Sequence, residues 1–305
     1  MALFWEIPLR NSPTSDEPVR HLESHRRLLP LNQETLLKTT TFIVAGARIH
    51  LRSEKPITLP ESYDASPLSD SYDPPHLVID VSIKEGFAKG REPNENYPGF
   101  ASSVDSEGRT QVSRTDAAGW ISNSAPEASF TVGESMFSLE AAIRVACSIG
   151  LLRQGILLFH SSAVELNGKA HMFAGVSGAG KSTIARLLAD NHPEFIKLSD
   201  ELLALRQNGN RWEAVASPFF AREELPVGRT APLAGIHLIA QAPEHSRTTM
   251  EPGTALPELL RHILTYSNTP TTTEVVLGLA ASLITSTPVY RLEFAKRPDV
   301  ASALR

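Results

Sequence analysis

The chain has 305 residues with 29 basic and 34 acidic side chains, and a formal net charge of −5. This length suits two domains, and 41% hydrophobic with 21% charged residues is ordinary for a globular protein, which excludes wholesale disorder. The chain lacks the basic excess of a nucleic-acid-binding protein, and its one cysteine excludes a disulfide framework and a cysteine-based zinc site.

We expect no secretory signal in the N-terminal segment. It lacks the basic region and the long apolar stretch of a secretory signal peptide. No apolar run in the chain approaches the roughly 18 residues that span a bilayer. We therefore expect a cytoplasmic protein with neither a membrane nor a nucleic-acid partner.

Residues 1–135 are predicted to form a smaller strand-rich domain, and the sequence assigns no role to it. Residues 40–51 and 77–83 are short runs rich in β-branched and apolar side chains, which favours strands. Residues 60–75 and 90–123 are polar and rich in proline or serine, and we predict surface loops there.

Residues 136–305 are predicted to form a second domain that opens with an amphipathic helix. Apolar residues recur at steps of three and four from Ser138 to about Arg153. Cys147 lies within this pattern and is interpreted as a small buried residue rather than a reactive thiol. Gly155 ends the helix, and residues 156–159 are predicted to be a short buried strand.

A β-hairpin is predicted next. Two apolar runs, residues 161–166 and 169–174, flank Asn167 and Gly168, and both turn residues tolerate a positive φ. The second strand leads directly into a glycine-rich loop. Because that strand pairs antiparallel with its neighbour, we predict an α/β fold with a mixed sheet, unlike the parallel sheet of doubly wound nucleotide-binding proteins.

The glycine-rich loop matches the phosphate-binding pattern G-x-x-x-x-G-K-[ST]. Glycines let successive backbone amides turn inward and form a nest for phosphate oxygens, and the helix that follows directs its positive end at them. Lys181 is predicted to reach the β- and γ-phosphates, and Ser182 to place its hydroxyl on Mg²⁺. We therefore predict ATP and Mg²⁺ as cofactors, bound by the residues Gly175, Val176, Ser177, Gly178, Ala179, Gly180, Lys181, Ser182 and Thr183.

A magnesium nucleotide needs a carboxylate beyond the loop, because magnesium prefers oxygen ligands. Asp200 and Glu201 follow residues 195–199, a short apolar run that we predict to be a strand. If this strand and the strand before the loop are neighbours in a parallel pair, its C-terminal end adjoins the phosphates. One carboxylate would then hold the metal while the other accepts a proton from the attacking hydroxyl. A capping role for Asp200 is the alternative.

The remaining elements are predicted to be structural. Residues 255–265 and 274–284 have the pattern of amphipathic or buried helices, and residues 289–294 alternate as a strand. His262, on the first of these helices, is interpreted as a packed or surface residue rather than a ligand.

Several of these motifs together resemble a known family. Residues 160–170, the phosphate loop and residues 198–201 are similar to the catalytic domain of the HPr serine kinase/phosphorylase family. They are more similar still to HPr-kinase-like relatives, some of which belong to peptide-maturation gene clusters. The resemblance covers residues 138–305, with weaker matches at 232–239 and 288–294.

The resemblance implies a P-loop kinase domain related to phosphoenolpyruvate carboxykinase. It also implies ATP-dependent phosphorylation of a serine-type hydroxyl, and a homo-oligomer. It further implies that Asp200 is the general base, that His160 is the polarising partner of Asp200, and that Glu201 is a magnesium ligand.

Two features depart from the family pattern. Glu201 stands where the family commonly has a second aspartate. Residues 224–229 match only faintly the loop that HPr kinases use for oligomer contacts and for phosphorolysis. Arg222 or Arg229 would stabilise a transferred phosphate or, equally, lie solvated on the surface.

The preferred interpretation is a kinase that acts on a hydroxyl of a protein, a peptide or a small molecule. One alternative is a nucleotide-hydrolysing switch in which water replaces the acceptor, and another is an ATP-binding pseudoenzyme with a regulatory role. Asp200 together with His160 suits the deprotonation of an alcohol, which favours the kinase. The chain also lacks an evident guanine-reading Asn-Lys-x-Asp motif.

Overall fold

The structure, a computed structural model, describes residues 37–63, 74–85, 99–219 and 225–304. These ranges form two mixed β-sheets with helices packed on them. The strands are β1 Lys38–Val44, β2 Ala47–Ser53, β3 Leu77–Ile83, β4 Ala101–Val104, β5 Thr110–Arg114, β6 Ala117–Ile121, β7 Glu127–Val132, β8 Ile156–Leu166, β9 Lys169–Ala174, β10 Phe195–Ser199, β11 Leu202–Asn208, β12 Arg211–Ala216, β13 Thr230–Gln241, β14 Ser246–Thr249 and β15 Val289–Phe294. The helices are α1 Met136–Gly150, α2 Lys181–Asn191, α3 Pro252–Leu260 and α4 Pro270–Ser286, with short 3₁₀ helices at Glu61–Tyr63, Leu152–Gln154 and Pro298–Ala303.

The first sheet has the strand order β1-β2-β3-β7-β6-β5-β4. β3 is parallel to both of its neighbours, and the other pairs are antiparallel. The predicted strand at 77–83 is confirmed as β3. The predicted run at 40–51 is instead a hairpin, because Ala45 and Gly46 take positive φ angles of 50° and 86° and turn the chain between β1 and β2.

The prediction of a surface loop over residues 90–123 is wrong for the part that the structure describes. β4, β5 and β6 lie there, while residues 90–98 are outside the described ranges. The polar side chains misled the prediction, because a sheet with one buried face alternates polar and apolar residues. In β5, Thr110 and Val112 are buried while Gln111 and Ser113 are more exposed. Of the predicted loop at 60–75, residues 64–73 are likewise outside the described ranges.

Helix α1 lies between the two sheets. Ser135 caps it by accepting a hydrogen bond from the Ser138 amide, and the helix ends at Gly150 with a 3₁₀ extension to Gln154, close to the predicted end. Its buried residues, Cys147 included, form one hydrophobic cluster with residues of the first sheet and of β8 and β11. Burial raises the pKa of the Cys147 thiol, in line with a packing role. The predicted division after residue 135 stays a prediction.

The second sheet is built around two long strands. β8 pairs with β11 through its first half and with β9 and β10 through its second half, and β13 pairs with β12, β9 and β15. β13 is parallel to β9 and β15, while the other pairs are antiparallel, which confirms the predicted mixed sheet. The predicted hairpin is confirmed as well, with Asn167 and Gly168 at φ 51° and 75° in the turn between β8 and β9.

Of the three elements predicted near the C-terminus, two are confirmed and one helix is shorter than predicted. β15 matches the predicted strand, and α4 contains the predicted helix at 274–284. The helix predicted over 255–265 ends at Leu260, because Ile263 forms an antiparallel bridge with Phe159 and the following backbone pairs with β8. None of the helices in the described ranges has the length and apolar character needed to cross a bilayer.

Candidate functional site

The glycine-rich loop connects the end of β9 to the start of α2, as predicted. Gly180 takes a φ of 102°, and a Cβ there would lie 2.9 Å from Cζ of Phe294. Glycine is therefore the residue that fits this bend. Gln241, at the end of β13, donates its Nε2 to the carbonyl oxygen of Gly178 over 2.7 Å. The ends of β13 and β15 therefore contact the loop, through Gln241 and Phe294.

Lys181, the first residue of α2, is 8% exposed. Its Nζ donates to the carbonyl oxygens of Gly175 at 2.9 Å and Val176 at 3.3 Å, so the ammonium lies inside the curve of the loop. Burial lowers the pKa of Lys181, and the Glu201 carboxylate opposes that shift. A phosphate oxygen at this position would compensate the ammonium for its lost hydration.

The acidic pair Asp200 and Glu201 forms the bend between β10 and β11. The expected parallel pairing of β10 with the strand before the loop is wrong, because β8 lies between them and is antiparallel to both. The bend between β10 and β11 nevertheless lies near the glycine-rich loop. Ser161 of β8 pairs with Ala174, and its amide donates to the carbonyl oxygen of Glu201 at 3.1 Å. The acidic pair is therefore one strand away from the loop's entry.

Ser182 and Asp200 are neighbours at this bend. Oγ of Ser182 lies 3.5 Å from the carbonyl oxygen of Asp200. Oδ1 of Asp200 is buried and has no hydrogen-bond partner among the described residues, whereas Oδ2 lies 4.0 Å from Nζ of Lys197. Buried carboxylate oxygens are normally satisfied, so the unsatisfied Oδ1 near the glycine-rich loop could accept a hydrogen bond from a hydroxyl donor or bind a metal ion.

These oxygens fit a magnesium ion that is shared with phosphates. In the described ranges, no three His, Cys, Asp or Glu side chains gather into a group that could hold a metal ion. Magnesium does not require such a group, because it is commonly bound by one or two carboxylates, substrate phosphates and waters. Ser182 and Glu201 would supply the protein's share, which leaves Oδ1 of Asp200 for a hydroxyl donor.

His160 lies in the middle of β8, and its amide donates to the carbonyl oxygen of His262 at 2.8 Å. Burial, followed by the charges of Lys181, His262 and Arg144, lowers the pKa of His160 to about 4. The imidazole is therefore neutral at neutral pH, and an orienting role towards Asp200 would use its N–H group rather than an imidazolium. That role stays a prediction.

Two residues at the site were missed from the sequence: Ser162, whose hydroxyl bonds to the carbonyl oxygen of Lys181, and Gln241. Ser162 lies on the same side of β8 as His160 by the two-residue repeat of a strand. Gln241 gave no local signal, because its contact with Gly178 depends on the pairing of β13 with β9.

Arg229, expected to bind phosphate or to lie solvated, is instead held in an ion pair. Its Nε and a terminal nitrogen donate to the two carboxylate oxygens of Glu165 at 2.5 and 2.8 Å. The Glu165 side chain is 8% exposed, and this ion pair joins β8 to the residue that directly precedes β13. Arg222 and Glu224 lie outside the described residues.

Comparisons with known proteins add little to this geometry. No protein-family model matches the chain, and no curated protein matches it. Among solved structures, the HPr(Ser) kinase/phosphatase from Coxiella burnetii is similar to 45% of this chain and 85% of its own, with 12% sequence identity and a TM-score of 0.27. A likeness this low assigns neither a family nor an activity.

A second polar cluster lies on the side of the sheet that α2 covers, away from the loop. Nδ1 of His171 is 3.3 Å from Nε2 of His237, and His237 is fully buried and stacked on Tyr290 with ring centroids 5.3 Å apart. The guanidinium of Arg247 lies 4.7 Å from the centre of the Tyr290 ring. Burial and then the charges of Arg247 and Lys169 lower the pKa of His171 to about 4, and burial lowers the pKa of His237 well below its usual value.

This cluster predicts a loss of stability in mild acid. Because both histidines have lowered pKa values in the folded protein, only the unfolded chain binds these protons as the pH falls from 6.5 towards 4. For each histidine that is protonated only in the unfolded chain, the free energy of unfolding falls by up to about 1.4 kcal/mol per pH unit. Urea titrations at pH 7.5 and 5.0 measure the effect, and His171→Gln should reduce the difference. An equal difference in that variant would contradict this assignment.

Proposed function

We propose that the loop from Gly175 to Thr183 binds Mg-ATP and that the protein transfers the γ-phosphoryl group to a serine-type hydroxyl of a protein, peptide or small molecule. The observation that carries the proposal is a buried ammonium inside the glycine-rich loop, next to the bend that carries the acidic pair. Nζ of Lys181 lies within the loop, and the hydroxyl of the adjacent Ser182 lies 3.5 Å from the backbone carbonyl oxygen of Asp200, whose Oδ1 is buried and has no hydrogen-bond partner among the described residues.

The chemistry of these residues suits transfer to an alcohol. The acceptor oxygen would attack the γ-phosphorus while its proton passes to Oδ1 of Asp200. The bond from the γ-phosphorus to the β,γ-bridging oxygen breaks, and its electron pair leaves with ADP. Lys181 would offset the negative charge that develops on the phosphoryl oxygens. Ser182 and Glu201 would hold Mg²⁺, which would supply charge neutralisation to the phosphates.

His160 would orient the base rather than exchange the proton itself. Its pKa of about 4 leaves the imidazole neutral at neutral pH. A neutral imidazole N–H can donate to a carboxylate and fix its direction. We assign the general base to Asp200 because its Oδ1 is buried and has no hydrogen-bond partner among the described residues, which leaves that oxygen available to a hydroxyl donor.

Replacement of Lys181 by alanine tests nucleotide binding. Loss of charge-assisted hydrogen bonds to phosphate is expected to raise the Kd for Mg-ATP by about 10- to 100-fold in calorimetric titration. Arg186→Ala is the matched control, because Arg186 is an exposed cation on the same helix, and it should bind like wild type. A wild-type protein that does not bind Mg-ATP, or a Lys181→Ala variant that binds equally well, would refute the assignment of the loop.

Labelled ATP tests the reaction itself. The protein, Mg²⁺ and γ-labelled ATP are incubated with candidate protein, peptide and small-molecule acceptors, and the label is located by mass spectrometry. Phosphate on a serine-type hydroxyl supports the kinase. Steady release of inorganic phosphate without a labelled acceptor favours the hydrolysing switch, and tight binding with no turnover favours the pseudoenzyme.

A further inference from the structure

Strand β8 continues past the point where β9 ends. Residues 161–166 of β8 pair with β9, and the last of these pairs joins Ser161 to Ala174. The chain then leaves β9 for the glycine-rich loop, while residues 156–160 of β8 extend beyond it. Ligands of open α/β sheets lie outside the C-terminal ends of the strands, and phosphates lie at helix N-termini. The first half of β8 is therefore on the side of the loop where phosphates would bind.

The segment after α3 takes the edge of β8 that β9 leaves. Phe159 and Ile263 form an antiparallel bridge, and the His160 amide donates to the carbonyl oxygen of His262 at 2.8 Å. Strand β11 pairs with residues 156–160 along the opposite edge. His262 is thus the cross-strand partner of His160, one position along β8 from the pair that β9 makes last.

The side chains of His160 and His262 lie on the same side of the sheet. Residues directly opposite each other in antiparallel strands project to one side, with Cβ atoms about 5 Å apart. Phe159 and Ile263 both belong to the hydrophobic cluster that contains residues of α4. Side chains alternate along a strand, so the two histidines project to the other side.

That other side is the one that α2 covers. Val164 and Leu166 of β8 pack there against α2 residues. Ser162, two residues from His160 and on the same side of the strand, donates its hydroxyl to the carbonyl oxygen of Lys181 at 2.7 Å. The histidine pair is therefore the next row of side chains beyond the first residue of α2.

The first half of the chain holds the segment that carries His262. The Tyr266 ring lies 5.8 Å from that of Phe100, measured between centroids, and packs against the cluster that contains α1. The hydroxyl of Ser267 donates to Oδ1 of Asn123 at 3.1 Å. His262, interpreted from the sequence as a packed or surface residue, is 7% exposed. Its backbone is thus fixed on both sides, which is the condition for a preorganised binding residue.

We infer that His262 donates an imidazole N–H to the terminal phosphoryl group of the bound nucleotide. The loop amides and the start of α2 would hold the inner phosphates. The terminal group would then lie towards the acidic pair, which adjoins Ser161 and hence the histidine row. An imidazole carries an N–H donor in either protonation state, and its hydrogen bond to a phosphate oxygen is charge-assisted. The inference rests on the proposed function and deepens it by naming a further phosphate-binding residue.

The test compares Mg-ADP with the non-hydrolysable triphosphate Mg-AMP-PNP in calorimetric titrations. His262→Leu removes the donor and should weaken AMP-PNP binding roughly 10-fold or more, while Kd for ADP changes less than about twofold. His262→Gln keeps an N–H donor and should recover part of the preference for AMP-PNP. His171→Leu is the matched control, because it removes a half-buried histidine of β9 away from the loop, and it should change neither Kd.

The outcomes separate this inference from the proposed function. If the wild type binds neither nucleotide, the proposed function fails and the role of His262 fails with it. If the wild type binds both, only the role of His262 is refuted by a leucine variant that keeps the preference for AMP-PNP or weakens both nucleotides equally. A glutamine variant no better than leucine refutes it as well, because packing alone then explains the loss. His262→Met takes the place of the leucine variant if thermal unfolding shows that the latter does not fold.

Discussion

Asp200→Asn is expected to abolish phosphoryl transfer while Mg-ATP binding is retained. An amide has nearly the shape of a carboxylate but cannot accept the hydroxyl proton at neutral pH. Removal of a general base lowers turnover by about 10²- to 10⁴-fold. Oδ1 of Asp200 is buried and has no hydrogen-bond partner among the described residues, so the substitution breaks no hydrogen bond with them at that atom.

The measurement is the initial rate of label transfer from γ-labelled ATP to the acceptor, together with Kd for Mg-ATP from calorimetry. Asp190→Asn is the matched control, because Asp190 is an exposed carboxylate on α2 and should leave the rate unchanged. Transfer by Asp200→Asn at the wild-type rate would show that the base has been assigned to the wrong residue. Loss of nucleotide binding instead would assign Asp200 to the metal site.

The glycine-rich loop between a strand and a helix could be predicted from the sequence because its determinants are local. The turn at Asn167 and Gly168 fixes the antiparallel hairpin, and β9 leads from it directly into the loop. Gly180 and Lys181 are adjacent in the chain, so the bend and its cation come together without any long-range contact. Short-range conformational preferences suffice for such features.

The sequence predicted Asp200 and Glu201 at the site from a pairing of strands that the structure does not contain. The strand before Asp200 was expected beside β9, whereas β8 separates the two. Which strands are neighbours depends on pairings between distant residues, which local patterns do not encode. The pair reaches the loop because Ser161 of β8 pairs with Ala174 on one side and bonds to Glu201 on the other.

Helix α1 shows the same limit of prediction from local sequence patterns. Its periodicity predicts the element and its buried stripe, and Cys147 is buried as expected. The periodicity cannot say what the less buried stripe with Glu140 and Arg144 faces. That depends on α1 lying between two sheets, and hence on the packing of one half of the chain against the other.

A buried ion pair of the first sheet also contacts α1. Asp116, in the turn between β5 and β6, accepts hydrogen bonds from Nε of Arg114 at 2.5 Å and from its terminal nitrogen at 2.9 Å, and the two side chains are 0% and 6% exposed. Oδ2 of Asp116 also accepts a hydrogen bond from the Ser138 hydroxyl at 2.6 Å. Ser138 lies in the first turn of α1, so one carboxylate joins the sheet to the helix that carries Arg144.

Asp116→Ala is therefore expected to lower the free energy of unfolding by about 3–5 kcal/mol, because it removes the carboxylate from a buried guanidinium. Asp80→Ala is the control, since the Arg52–Asp80 pair of the same sheet is 42% and 43% exposed and should contribute only about 0–1 kcal/mol. Urea denaturation measures both. Arg114→Met combined with Asp116→Ala should recover part of the loss, because no charge is then left buried. Equal costs for Asp116→Ala and Asp80→Ala would contradict the larger contribution expected of the buried pair.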